Sequence, residues 1–279
     1  MADLVGVFGV PHTPLLWREL QAQHLADLAP VSAHFADFRA RIEALRPDAV
    51  VMVASDHFRA TSTAAMPAFM IGKTAVTPAT FSNEVRAFDI PQFQVQGDPK
   101  LARALLGGRS LTTEFDFGYS DEIRLDHAFA IPLLYLRPDH DLPVVPIFTN
   151  ATAPPMPVAQ RFIELGTYLN RAIDNAGDGR VVIVVSAHLA FEIGGPRQFS
   201  GLSPDPEFDR EAVRWLVERD LEGAAAGATF DRMLQAGNVT HQYLNLLVAC
   251  AAAEGLMLQV GEGTACRHGN EPFFAWSSA

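Results

Sequence analysis

The chain has 279 residues, 21 basic against 32 acidic side chains for a net charge of −11, and 49% apolar residues. That apolar content at this length buries a sizeable core and excludes a largely disordered chain. The acidic balance argues against nucleic acid or an anionic membrane as the main partner, because a polyanion is repelled on approach.

The N-terminal run Met1-Ala2-Asp3-Leu4-Val5-Gly6 has no basic segment. No apolar stretch approaches the roughly 20 residues that span a bilayer, so a soluble, cytoplasmic protein is expected. Leu4 to Val10 is apolar and β-branched and reads as a buried strand. Val31, His34, Phe35, Phe38, Ile42 and Leu45 then repeat at steps of three and four, which predicts a helix with one apolar stripe, closed by Arg46-Pro47. A second buried strand follows at Ala49 to Ala54. Thr74 to Gln96, rich in Pro, Thr, Phe and Gln, reads as long loop or irregular structure. Helices are expected over 98–106 and 127–136, a strand at Val144 to Phe148, a helix over 157–174, a strand at Val181 to Val185, and helices over 208–219 and 240–254. Ala153-Pro154-Pro155-Met156-Pro157 punctuates the middle and reads as a loop rather than a boundary. The alternation predicts one α/β domain over residues 1–279, with a central mixed or parallel sheet flanked by helices.

The two cysteines, Cys250 and Cys266, form no CxxC pair and support neither a disulfide scaffold nor a cysteine-rich zinc site. Histidine is the unusual residue, with nine in the chain against four tyrosines. Three strand-like runs lead directly into one: Val10-Pro11-His12, Ser55-Asp56-His57 and Ser186-Ala187-His188. In open α/β sheets the ligand crevice lies outside the carboxyl ends of the strands, so three strands delivering imidazoles to one edge form a site-shaped pattern. Imidazole serves there either as a transition-metal ligand or as an acid/base near neutrality. His127 opens an apolar helix behind Asp126, a natural N-cap, where the helix N-terminus disfavours the imidazolium. His34 belongs to the apolar stripe, whereas His24, His140 and His268 read as solvated. Arg197, after the turn Gly194-Gly195-Pro196, is a candidate for a substrate carboxylate or phenolate. Neither a GxGxxG, a GxxxxGK[ST] nor a GxSxG motif occurs, which removes the motif evidence for dinucleotide, NTP and α/β-hydrolase chemistry.

Five short motifs in register carry a family resemblance: Val10-Pro11-His12-Thr13-Pro14, Ser55-Asp56-His57, Leu125-Asp126-His127 with Ile131-Pro132-Leu133, Ser186-Ala187-His188, and Gly237-Asn238-Val239-Thr240-His241-Gln242. Together they resemble the type II extradiol ring-cleavage dioxygenases, the family of the protocatechuate 4,5-dioxygenase catalytic β subunit. The resemblance implies cleavage of a small aromatic diol by O2, giving a ring-opened semialdehyde acid. It also implies an Fe(II) held by two histidines and a glutamate with positions left open, and a homodimer or a complex with a related subunit. His12 and His57 match the family's histidine ligands, and His127 and His188 its acid/base histidines. The third ligand departs from the pattern: Gln242 stands where the glutamate is expected, with His241 one position earlier as an alternative and Glu192 and Glu254 as the nearest acids considered. A neutral carboxamide holds iron less tightly. The competing expectations are therefore a dioxygenase with an altered third ligand and a non-catalytic partner subunit that has lost iron chemistry. A zinc-dependent hydrolase on the same scaffold is a third.

Overall fold

In the computed structural model, which describes residues 2–21, 28–108, 110, 112–198 and 200–278, the chain runs through β1 (Ala2–Val10), α1 (Pro14–Gln21), α2 (Ala29–Leu45), β2 (Ala49–Ser55), β3 (Phe69–Gly72), β4 (Val76–Ala79), α3 (Ser82–Phe88), β5 (Phe93–Gln96), α4 (Pro99–Leu105), β6 (Gly118–Ser120) and α5 (His127–Leu136). It continues through β7 (Val144–Thr149), α6 (Ala159–Asp174), β8 (Gly179–Ser186), α7 (Pro206–Glu218), α8 (Leu221–Gly227), α9 (Phe230–Ala236), a tight helical turn (Thr240–Tyr243), α10 (Leu244–Ala252), β9 (Met257–Cys266) and β10 (Gly269–Ser277).

Eight strands form one mixed sheet in the order β6-β3-β7-β2-β8-β1-β10-β9. Its centre, β7-β2-β8-β1, is parallel throughout, while β10 pairs antiparallel with both β1 and β9. The central strands read as unbroken apolar runs because both faces are covered. In β8, Val181, Ile183 and Val185 enter one hydrophobic cluster and Val182 and Val184 the other. Helices α6 and α10 supply the first cluster, and α2 and α5 the second. Gly166 on α6 allows the close approach of α10, since a Cβ there would lie 2.4 Å from the Val248 carbonyl oxygen.

Residues 74–96 depart from the loop expectation. They form the hairpin β4-β5, with α3 between the two strands. The strands are too short to show a clear period of two, and their pairing with each other supplies the order. The β9-β10 hairpin at the sheet edge has no clear apolar signature in the sequence, because its strands are only partly covered on the β9 side. The proline-rich segment 153–157 is the loop between β7 and α6, folded around Asn150, whose amide donates to the carbonyls of Ala153 (2.8 Å) and Pro155 (3.2 Å). No described helix is long and apolar enough to cross a membrane.

Candidate active site

Strands β1, β2 and β8 are parallel neighbours, so their carboxyl ends share one edge of the sheet. Each delivers its histidine two residues beyond the strand: His12 after Val10, His57 after Ser55 and His188 after Ser186. His127 arrives from the first turn of α5, whose N-cap Asp126 accepts from the Ala128 N–H. The four imidazoles converge. Ring centroids lie 4.2 Å apart for His12–His188, 4.3 Å for His57–His127, 5.4 Å for His12–His57 and 5.7 Å for His12–His127. Ligand-capable nitrogens of His12, His57 and His127 all fall within 4.8 Å of one another.

A buried polar network underlies this cluster. Asn245 on α10 donates to the Ser55 hydroxyl (3.0 Å) and to the Ser186 carbonyl (3.1 Å), and accepts from Thr149 (2.7 Å). The ends of β2, β7 and β8 are thereby tied to one helix. Three imidazoles are then oriented through Nδ1: His12 by the Ser186 hydroxyl (2.8 Å), His57 by the Asp126 carboxylate (2.9 Å) and His127 by the Glu84 carboxylate (2.7 Å). Each contact leaves Nε2 for another partner, the arrangement by which outer groups set the tautomer and direction of a metal-binding imidazole.

The electrostatics differ sharply around the ring of histidines. Burial, reinforced by the neighbouring imidazoles His188, His57 and His127, holds His12 well below the usual histidine range. Burial also pushes His188 down, to about 3, with His57 and His127 adding to it. Burial pulls His57 the same way, but the Asp126 carboxylate outweighs it, with Asp56 and Glu84 adding, and the net shift is upward. Asp126 falls to about 2, because the His57 imidazole overcomes the burial that opposes ionisation.

Gln242 reaches the cluster and His241 does not. The Gln242 amide nitrogen lies 2.9 Å from His57 Nε2, whereas the His241 ring meets the Phe230 carbonyl at 3.1 Å. The turn carrying Gln242 is held in place by the loop after His188. The Thr240 hydroxyl accepts from the Phe191 N–H (3.0 Å), and the Asn238 amide bonds both the N–H and the carbonyl of Ile193 (2.9 and 2.8 Å). Gly237 permits that contact, since a Cβ there would sit 2.2 Å from the Phe191 carbonyl oxygen.

The side chains fit a divalent transition metal. His12 Nε2 and Gln242 Oε1 are buried and have no hydrogen-bond partner. His57 Nε2, acceptor by virtue of the Nδ1–H given to Asp126, lies beside the same amide. Two imidazole nitrogens and an amide oxygen suit such an ion, although the set is neutral.

One sequence expectation for the other residues changes, that for His268, and the structure places the rest. His268 is buried rather than solvated, bonded to Glu19 at 2.7 Å. His140 stacks on Phe93 with centroids 4.2 Å apart. Arg197 has its donors occupied within the fold, on the Glu192 carboxylate (2.8 Å through Nε) and on the Pro204 and Gln235 carbonyls. Glu192 is the carboxylate of that pair, and Glu254 is exposed beyond the end of α10. His34 is part of the rim, stacked on Phe273 and paired with Glu262 at 2.9 Å. His24 lies outside the described residues. Sequence reasoning missed Glu84 and the Ser186 hydroxyl; the only available signal for Glu84 was an acid at the third position of a short helix.

Residues 6–277 match the family described as the catalytic LigB subunit of aromatic ring-opening dioxygenase. The chain belongs to this family. Among curated relatives, the 2,3-dihydroxyphenylpropionate/2,3-dihydroxicinnamic acid 1,2-dioxygenase of Klebsiella pneumoniae (strain 342) is 32% identical over 65% of this chain and 54% of its own length. The proteins of the same description from Cupriavidus necator and Rhodococcus jostii (strain RHA1) are each 30% identical, over 74% and 84% of this chain and 66% and 69% of their own lengths. The chain thus spans about half the length of the first of these relatives.

Proposed function

We propose that this chain is a cytoplasmic Fe(II)-dependent extradiol dioxygenase, which opens the ring of a catechol-type substrate with O2 to a semialdehyde acid. The observation that carries the reading is the convergence of the His12, His57 and His127 nitrogens within 4.8 Å of one another, with His188 against His12 and the Gln242 amide beside His57 Nε2. Family membership and the dioxygenase names of the relatives support the reaction class.

Fe(II) held there would supply Lewis acidity, two-point orientation of the diol and an open position for O2. The side chains have separate tasks. Asp126 keeps the hydrogen of His57 on Nδ1, so that Nε2 faces the metal position. His188, kept neutral by burial, accepts the proton of the second hydroxyl. His127, whose Nδ1 is held by Glu84, would take up the proton of the first hydroxyl on Nε2 and give it back as the ring opens. His12 and His188, both almost fully buried, exclude bulk water from the inner side, and the partly exposed His57 and His127 mark the side from which substrate enters. Because the protein ligands are neutral, the negative charge of the ionised diol does the balancing that a glutamate would otherwise do. The oriented partners Asp126, Glu84 and Ser186 favour this reading over a non-catalytic partner subunit, which has no physical need for them. Assembly as a homodimer or with a related subunit is part of the proposal.

The test is anaerobic reconstitution with Fe(II), metal analysis, and oxygen uptake with protocatechuate, gallate, 2,3-dihydroxyphenylpropionate and alkylcatechols. Uptake with at least one diol is expected. No uptake with any of them, in protein shown to hold iron, overturns the activity; zinc in place of iron in freshly purified protein points to a hydrolase instead. Light scattering gives the oligomeric state.

A further inference from the structure

The buried carboxylate of Glu84 contacts more than its own helix requires. It is 1% exposed, and its Oε2 accepts the Phe81 N–H at 2.8 Å, which closes the first turn of α3. Capping is complete with that bond. Yet Oε1 reaches 43 residues along the chain to accept two further hydrogens, from the His127 backbone N–H (3.0 Å) and ring Nδ1 (2.7 Å). The segment carrying it is fastened to the segment carrying His127. The Thr80 N–H donates to the Leu125 carbonyl (2.8 Å), the Leu125 N–H to the Pro78 carbonyl (2.9 Å), and Arg124 to the Thr80 carbonyl (3.1 Å). Thr80, buried and not glycine, holds φ at 67° within this junction, a conformation that persists only where surrounding contacts impose it.

We propose that Glu84 is a positioning residue for His127: its carboxylate fixes the ring plane and keeps the ring hydrogen on Nδ1, so that Nε2 is the atom presented to the substrate. The inference rests on the acid/base role given to His127 above. It gives α3 a task in the reaction, since the carboxylate that starts this helix is the one that aligns the imidazole.

The test compares Glu84→Gln, which keeps an oxygen acceptor and removes the charge, with Glu84→Asp, which keeps the charge and withdraws it by one methylene. Long-range proton–nitrogen NMR of the His127 ring in metal-free protein reads the tautomer without any turnover. Metal content, melting temperature, and kcat and KM for whichever diol the wild type opens are measured alongside. In Glu84→Gln the downfield Nδ1–H resonance of His127 is expected to be lost or moved, and kcat to fall about 10- to 100-fold with KM within about threefold and metal content unchanged. Glu84→Asp should recover part of kcat. An unmoved ring resonance, or an unchanged kcat in a folded, metal-loaded Glu84→Gln, overturns the proposal. Should Glu84→Gln not fold, the same readouts on Glu84→Asp decide it. Absence of turnover in the wild type counts against the dioxygenase reading alone, because the ring spectrum still reports on Glu84.

Discussion

Gln242 is the residue on which the proposed chemistry turns, because its amide nitrogen lies 2.9 Å from His57 Nε2 while its side chain carries no charge. A carboxylate there would add a full negative charge within a few ångströms of a divalent ion, in surroundings less screening than water. Gln242→Glu is therefore expected to tighten Fe(II) binding by about tenfold or more, measured by anaerobic titration against a competing chelator. An unchanged affinity would show that residue 242 faces away from the metal. The histidines should divide by role in the same measurements. His12→Ala is expected to lose the metal, because its Nε2 is a buried nitrogen with no other use. His188→Phe should keep the metal and lose most of the turnover, since His188 stacks on Phe191 and aromatic bulk preserves that contact. Metal content retained in His12→Ala refutes the ligand assignment.

Two close backbone approaches separate site from scaffold at the level of elements. Gly237 lets the turn before α10 press on the Phe191 carbonyl, and an added Cβ at 2.2 Å must push that turn away. Gly237→Ala is expected to cost about 1–3 kcal/mol in denaturant unfolding and to weaken metal binding as Gln242 is displaced. Gly166 plays the equivalent part between α6 and α10, where a Cβ would meet the Val248 carbonyl oxygen at 2.4 Å. Gly166→Ala should cost a similar about 1–3 kcal/mol and leave metal affinity nearly unchanged, because the contact lies among core side chains. Equal effects of the two variants on metal affinity would show that the 237–243 turn does not place the ligand independently of the core.

At the scale of the whole molecule, the buried ionisable groups shape how stability depends on pH. His12 and His188 have folded values depressed by burial, so the unfolded chain binds their protons first; their contribution is present above about pH 6.5 and lost as pH falls below it. Asp126, at about 2 against an ordinary 3.8, adds a further loss below pH 3.8. Glu271 acts in the opposite sense. Burial raises it to about 7, against the bond from Thr13. The folded state holds that proton longer than the unfolded one, so stability falls as pH rises from about 4.5 to 7. Glu271→Gln is expected to remove this loss, gaining on the order of 2–3 kcal/mol relative to wild type between pH 5 and 8 in urea unfolding. A difference that does not vary with pH would mean that Glu271 is ionised in the native state.

Much of the fold and the centre of the candidate site were legible along the chain. Buried parallel strands have to be continuous apolar runs, and ligand groups in such sheets follow the strand ends, so His12, His57 and His188 could be read in one dimension. His127 could be read from its helix start. Tertiary structure decided what depends on residues distant in sequence. It brought Glu84, within a segment whose strands show no period of their own, onto His127, and it turned Gln242 rather than His241 toward the histidines through bonds to residues 191 and 193. It also buried His268 against Glu19 and closed Arg197 onto Glu192. Periodicity and strand ends are local properties of a chain; the partner of a carboxylate or a guanidinium is set by which segments the sheet order brings side by side.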